Sequence, residues 1–218
     1  SLSFFTNQPE NNKEGTTNRA NFNLSGPLAG EALTMRLYGN INKTEPDAWD
    51  INHAQNGSYA AGREGVRNKD INALLSWKMT PQQILDFSYA YSRQGNIYAG
   101  DTQYSNGNLS PNGLVDSLYG HETNRLYRQS WGLTYNGLWD WGQSKAGVYY
   151  EKTNNTRLQE GSTGRVEGMI NSEDYATSRL ESWRTTSEFN VPFFWLADQT
   201  LTLGMEWNHD QLDDPASM

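Results

Sequence analysis

The chain has 218 residues, and a mean hydropathy of −0.82 with only 35% hydrophobic residues would by itself lean toward disorder. Eight Trp, twelve Tyr and seven Phe argue against that, because disordered segments are poor in large rings. No apolar run approaches the roughly 18 residues of a membrane-spanning helix, which excludes a helical membrane protein but not a barrel, whose strands mask their apolar signal by alternation. The absence of Cys removes disulfides, thiolate zinc sites and cysteine nucleophiles, and a net charge of −8 argues against a nucleic-acid binder.

The chain opens at Ser1 with what already reads as a strand, without a signal-type segment, so an interior fragment is expected. Alternation of period two then dominates. Its apolar phases are Ala20, Phe22 and Leu24; Leu33, Met35, Leu37 and Ile41; Leu85, Phe87, Tyr89 and Tyr91; Trp131, Leu133 and Tyr135; and Phe189, Val191, Phe193 and Trp195. In the last segment Leu201, Leu203, Met205 and Trp207 oppose Thr202, Gly204 and Glu206, which assigns the first set to lipid and the second to a lumen. Nine strands are expected, near 1–8, 17–25, 32–43, 66–78, 84–95, 124–137, 143–157, 179–195 and 200–212.

Short connections with turn residues (GPLAGE 26–31, TPQQ 80–83, LWDWG 138–142, LADQ 196–199) alternate with long polar ones at about 44–65, 96–123 and 158–178. Such hairpins with two unlike ends are the pattern of outer-membrane barrels. Trp77, Trp139, Trp141, Phe193, Phe194 and Trp195 gather at the short-turn end, where a bilayer interface selects an aromatic girdle; packing in a soluble sandwich is the alternative use of the same rings. Nine is odd, whereas bacterial single-chain barrels are usually even, so the fold expected is all-β: one antiparallel transmembrane sheet, residues 1–218, forming part of a larger barrel with no second domain. The first and last strands are then expected to be unpaired edges.

Catalytic signals are weak. His53, His121 and His209 fall in or beside predicted loops without metal-box spacing, Asp213 and Asp214 read as a solvated strand end, and no GxSxG, HExxH or P-loop pattern occurs. No enzyme activity and no resident cofactor or metal is expected. The informative cluster is basic and aromatic, at the long-loop end: Arg63 and Arg67, Arg93 and Tyr98, Arg125, Tyr127 and Arg128, and Arg157. Guanidinium groups with rings suit a large, flat, aromatic anion, while lipopolysaccharide phosphates are the competing partner for Arg at this level. Arg125 and Tyr127 share one face of a strand and Arg128 the other, so not all of them can serve a lumen.

These same segments carry a family likeness. RLYGNINKT (36–44), DAWDIN (47–52), AGREGVRNKDIN (61–72), SRQGNIYAGDTQ (92–103), ETNRLYR (122–128), NTRLQEG (155–161) and QTLTLGMEW (199–207) resemble, in order, the ferric enterobactin receptors, a branch of the TonB-dependent outer-membrane receptors. The resemblance implies a barrel of about 22 strands around a plug, of which this chain would be the first nine strands, in the outer membrane of a Gram-negative bacterium. It implies import of a ferric catecholate siderophore with TonB-derived energy delivered through the plug, the iron being held by the siderophore. Carried over by motif, the ligand-binding positions are Tyr98, Arg125, Tyr127, Arg128 and Arg157, with Tyr104 standing in for a further loop tyrosine. Residues 104–118 and 162–178 depart from the family pattern. Outer loops of this kind could also serve phages or bacteriocins, and the alternative function for the same strands is a passive porin or a loop-borne adhesin.

Overall fold

The computed structural model describes residues 1–53, 62–99, 120–160 and 170–214, with the side chains of 158–160 and 170–174 left aside. Nine strands follow one another: β1 (Leu2–Asn7), β2 (Thr17–Ala29), β3 (Leu33–Thr44), β4 (Gly65–Thr80), β5 (Gln83–Ile97), β6 (Glu122–Trp139), β7 (Gly142–Glu160), β8 (Ile170–Trp195) and β9 (Ala197–Asp213). They form a single sheet in sequence order, every neighbouring pair antiparallel, and β1 and β9 have one partner each. Among the described residues there is no helix.

Cross-strand partners share a face, so the register sorts every side chain. Leu37, Ala73, Tyr89, Trp131, Tyr150, Trp183 and His209 form one continuous row across the sheet, with Met35, Leu75, Phe87, Leu133, Val148, Thr185 and Trp207 beside it. This is the apolar, outward face, and it carries Leu201, Leu203 and Met205 as the alternation predicts. The opposite face is a mesh of short polar side chains. Asn42 donates to Asn40 at 2.8 Å and Asn40 to Asn21; Thr202 donates to Asn190 at 2.7 Å; Arg184 meets Glu206 at 3.3 Å. Such a face is hydrated or covered by polar protein, not by lipid.

Trp131, Tyr150 and Trp183 pack together on the outward face, with centroid separations of 5.9, 5.5 and 4.7 Å. They make a second aromatic girdle, eight residues along β6 from Trp139, which stacks on Trp141 at 6.4 Å. Eight residues are about 27 Å of strand, and at a tilt of about 40° roughly 20 Å of membrane height, close to the ~25 Å apolar band of such barrels. The strands overshoot this band: β8 has 26 residues, against the roughly 9–11 needed to cross. Its excess lies at the long-loop end, where β7 and β8 stay paired out to Glu160 and Ile170. The third long connection is therefore shorter than the alternation suggested, because pairing continues through Thr156 and Thr177, whose hydroxyls bond at 2.9 Å.

Candidate functional site

The six arginines that gather in sequence at the long-loop end do three separate things. Arg63 belongs to a clasp. The buried Asp47 carboxylate accepts from the Gly15 amide at 2.9 Å and the Arg63 amide at 2.7 Å, while the Arg63 guanidinium donates to the Gly15 carbonyl at 3.1 Å. Lys13 meets Asp50 at 2.9 Å across the same junction. The connection 8–16 is thus locked to the start of the connection that follows β3.

Arg67, Arg93 and Arg125 converge on Glu122. Arg93 makes the closest pair, with both side chains only 12% exposed, and Arg67 and Arg125 stand 3.4 and 3.9 Å from the carboxylate. A β-bulge makes this possible. Asn96 pairs with Asn124 but Ile97 with Glu122, so Thr123 is an extra residue that turns Glu122 from the polar phase of β6 to the outward face. Tyr127 lies on that face too, its hydroxyl 3.4 Å from the Arg93 Nε and its ring under the Arg93 guanidinium at 5.6 Å. Arg125 lies over the Tyr175 ring at 5.5 Å. Of the residues expected to bind ligand, Arg125 and Tyr127 therefore stand on the lipid-side phase of the wall.

Tyr98 is 5% exposed, between Ile97 at 2% and Ala99 at 1%. Its amide donates to the His121 carbonyl at 2.9 Å and its carbonyl accepts from Gly120 at 3.1 Å, closing the base of the connection between β5 and β6. Tyr104 lies outside the described residues. Arg128 and Arg157 occupy the polar face. Arg128 meets Glu151 at 3.3 Å with both side chains about half exposed, and Arg157 is exposed four residues beyond Thr153, the register partner of Arg128. An exposed pair of this kind is weak, so Arg128 can exchange Glu151 for a stronger anion at little cost.

Two further arginine–tyrosine pairs on the polar face were not singled out by sequence. Arg36 lies over the Tyr38 ring at 4.5 Å and Arg184 over Tyr149 at 5.8 Å. The first was legible from its two-residue spacing. The second joins adjacent strands and needs the register. Gly132 leaves room for the Tyr149 ring, which a Cβ there would approach to 2.9 Å. Taken together the polar face offers guanidinium groups and rings, the donors and stacking surfaces for a planar polyanion. Among the described residues no three His, Cys, Asp or Glu side chains converge as metal ligands.

No protein-family profile matches the chain. It is 50% identical over 222 residues to the ferric enterobactin receptor PirA of Pseudomonas aeruginosa, covering all of this chain and 30% of that protein. The ferrienterobactin receptor of Escherichia coli is 48% identical over 225 residues, with 98% of this chain and 30% of that protein covered. Among solved structures, the siderophore receptor PirA of Acinetobacter baumannii superposes with a TM-score of 0.83 at 50% identity, over 99% of this chain and 30% of that one. A variant of the P. aeruginosa ferric enterobactin receptor PfeA in complex with enterobactin gives 0.78 at 47%, over 98% and 31%. The chain thus spans about 30% of the length of the curated relatives it matches.

Proposed function

We propose that this chain is part of the barrel of a TonB-dependent outer-membrane siderophore receptor, as its likeness to such receptors supports, and that the complete protein binds and imports ferric catecholate siderophores of the enterobactin type. The ligand enters from the long-loop end and meets the polar face of the wall, where Arg128 and Arg157 supply positive charge and rings such as Tyr38 and Tyr149 lie deeper along the same face. The iron stays with the siderophore, which supplies its ligands. Energy comes from the TonB complex acting through a plug seated against the polar mesh. Tyr98 serves by holding the base of the connection between β5 and β6, and Arg125 and Tyr127 act from the outer side by fixing Glu122 in that base.

The observation that carries this reading is the placement of Arg128 and Arg157 on the polar face of a wall that is half identical to ferric enterobactin receptors. Uptake of radiolabelled iron–enterobactin into iron-starved cells whose only catecholate receptor is the complete protein tests it. Uptake that saturates and disappears when TonB is deleted is expected. Uptake proportional to concentration and indifferent to TonB would identify a passive porin, and no uptake or binding at all would leave an adhesin.

A further inference from the structure

Charge is unevenly distributed around the polar face. β1, β2 and β3 contain no Asp or Glu, and on their polar face they carry two guanidinium groups, Arg19 and Arg36. Neither has a carboxylate partner among the described residues, whereas Arg128 meets Glu151 and Arg184 meets Glu206. By strand spacing the nearest carboxylates on that face, Asp70 of β4 and Asp86 of β5, are each about 12 Å from the closer arginine. Toward the other end of the sheet the balance reverses. Along the paired stretch of β8 and β9, Arg184 shares the polar face with Glu188, Asp198, Glu206 and Asp210.

Each of the two unpaired guanidinium groups stands with a ring. Arg19 is the cross-strand partner of Phe5, which is 55% exposed although it lies on the polar face, and Arg36 lies over Tyr38. Arg19 also pairs with Asn42, and six residues of β3, about 20 Å, separate Asn42 from Arg36. The side chains between them on this face are uncharged: Asn21, Asn40 and Asn23, the last accepting from the Arg36 Nε at 3.5 Å. A planar polyanion is attracted at both ends of such a sector and meets neutral hydrogen-bonding groups between, while the carboxylates of β8 and β9 repel it. We propose that the polar face of β1–β3 is the lane along which the ferric catecholate passes from the mouth toward the short-turn end, with Arg19 and Phe5 as its upper station and Arg36 and Tyr38 as its lower one. The lane rests on the transport reading and adds a route to it. Arg19 is four strands from Arg128, about 19 Å along the wall, so the mouth pair and the lane are occupied in succession.

The test measures initial rates of radiolabelled iron–enterobactin uptake by iron-starved cells carrying the complete receptor, and separately titrates the affinity of the purified receptor. At about fivefold per guanidinium, Arg19→Gln and Arg36→Gln should each lower the maximal uptake rate roughly fivefold, with affinity within twofold of the wild type because the mouth pair is intact. Retained affinity also shows that the variants fold. Arg19→Lys and Arg36→Lys, which keep the charge, should keep most of the rate. Lys145→Gln removes a polar-face cation outside the sector and should leave the rate unchanged. An unaltered maximal rate in both Gln variants of an importing receptor would overturn the lane alone. An equal loss in Lys145→Gln would assign the effect to lumen charge in general, and uptake that no longer needs TonB would assign Arg19 and Arg36 to seating a plug; either result overturns the lane. A wild type without TonB-dependent uptake would remove the transport reading and the lane with it.

Discussion

Neutralising Glu122 should reverse the sign of a neighbouring mutation. Glu122 and Arg93 are nearly buried, each 12% exposed, and removing one member of a buried pair costs roughly 3–5 kcal/mol. Because Arg67 and Arg125 remain open to solvent and can rehydrate, a cost of about 2–3 kcal/mol is expected for Glu122→Gln. In the wild type Arg67→Gln gives up only an exposed contact at 3.4 Å, about 0.5 kcal/mol. Once Glu122 is Gln, three guanidinium groups face one another without a counter-charge, and deleting one of them relieves repulsion. Arg67→Gln is then neutral or stabilising. The assay is a double-mutant cycle on the complete receptor, with stability read from urea unfolding in detergent so that the denaturant does not screen the charges. Additivity within about 0.5 kcal/mol would refute the cluster as an electrostatic unit.

Asp47→Ala should release the clasp between residues 8–16 and the start of the connection after β3, raising amide hydrogen exchange at Gly15 and Arg63 while the amides of β5 and β6 stay protected; unchanged exchange at those two amides would contradict the clasp. On β9, Leu203→Arg should cost about 2–4 kcal/mol of folding free energy into phospholipid vesicles, and Thr202→Arg on the polar face little, so equal costs would mean the faces are reversed.

The strands were legible because alternation is a local signal. Leu201 to Trp207 and Leu85 to Tyr91 announce their faces without reference to any partner, and the observed ends fall within a few residues of those expected except at the start of β8, where pairing with β7 begins at Ile170, nine residues before the expected 179. The same phase reaches further up β6. Arg125 and Tyr127 share the phase of Trp131, Leu133 and Tyr135, and following that alternation upward puts them on the outward face. Glu122 could not be reached this way, since by parity it belongs with Asn124 and Arg128, and only the extra residue Thr123 turns it outward. The second girdle was hidden for another reason. Trp131, Tyr150 and Trp183 come from three successive strands, and their meeting depends on the register that hydrogen bonds set between those strands, which alternation within one strand does not give. Tyr98 falls within the long connection expected at about 96–123, and its burial between Ile97 and Ala99 goes with the pairing of its backbone with Gly120 and His121, which the sequence alone does not show.

The central claim, that the polar face of the wall binds a ferric catecholate through Arg128 and Arg157, is tested most directly by titrating iron-loaded enterobactin against the complete receptor and its Arg128→Ala/Arg157→Ala variant at two salt concentrations. The four residues from Thr153 to Arg157 put the two positions about 13 Å apart along the strand, so a ligand centred between them sits roughly 6–7 Å from each. One guanidinium then contributes about 2.5 kcal/mol per ligand charge at an effective dielectric of ~20, and about 1 kcal/mol after screening over a Debye length of ~8 Å. With Arg128 partly offset by Glu151, the account predicts a loss of more than tenfold in affinity and a shallower dependence on salt. Unchanged affinity and an unchanged salt slope in the double variant would contradict it.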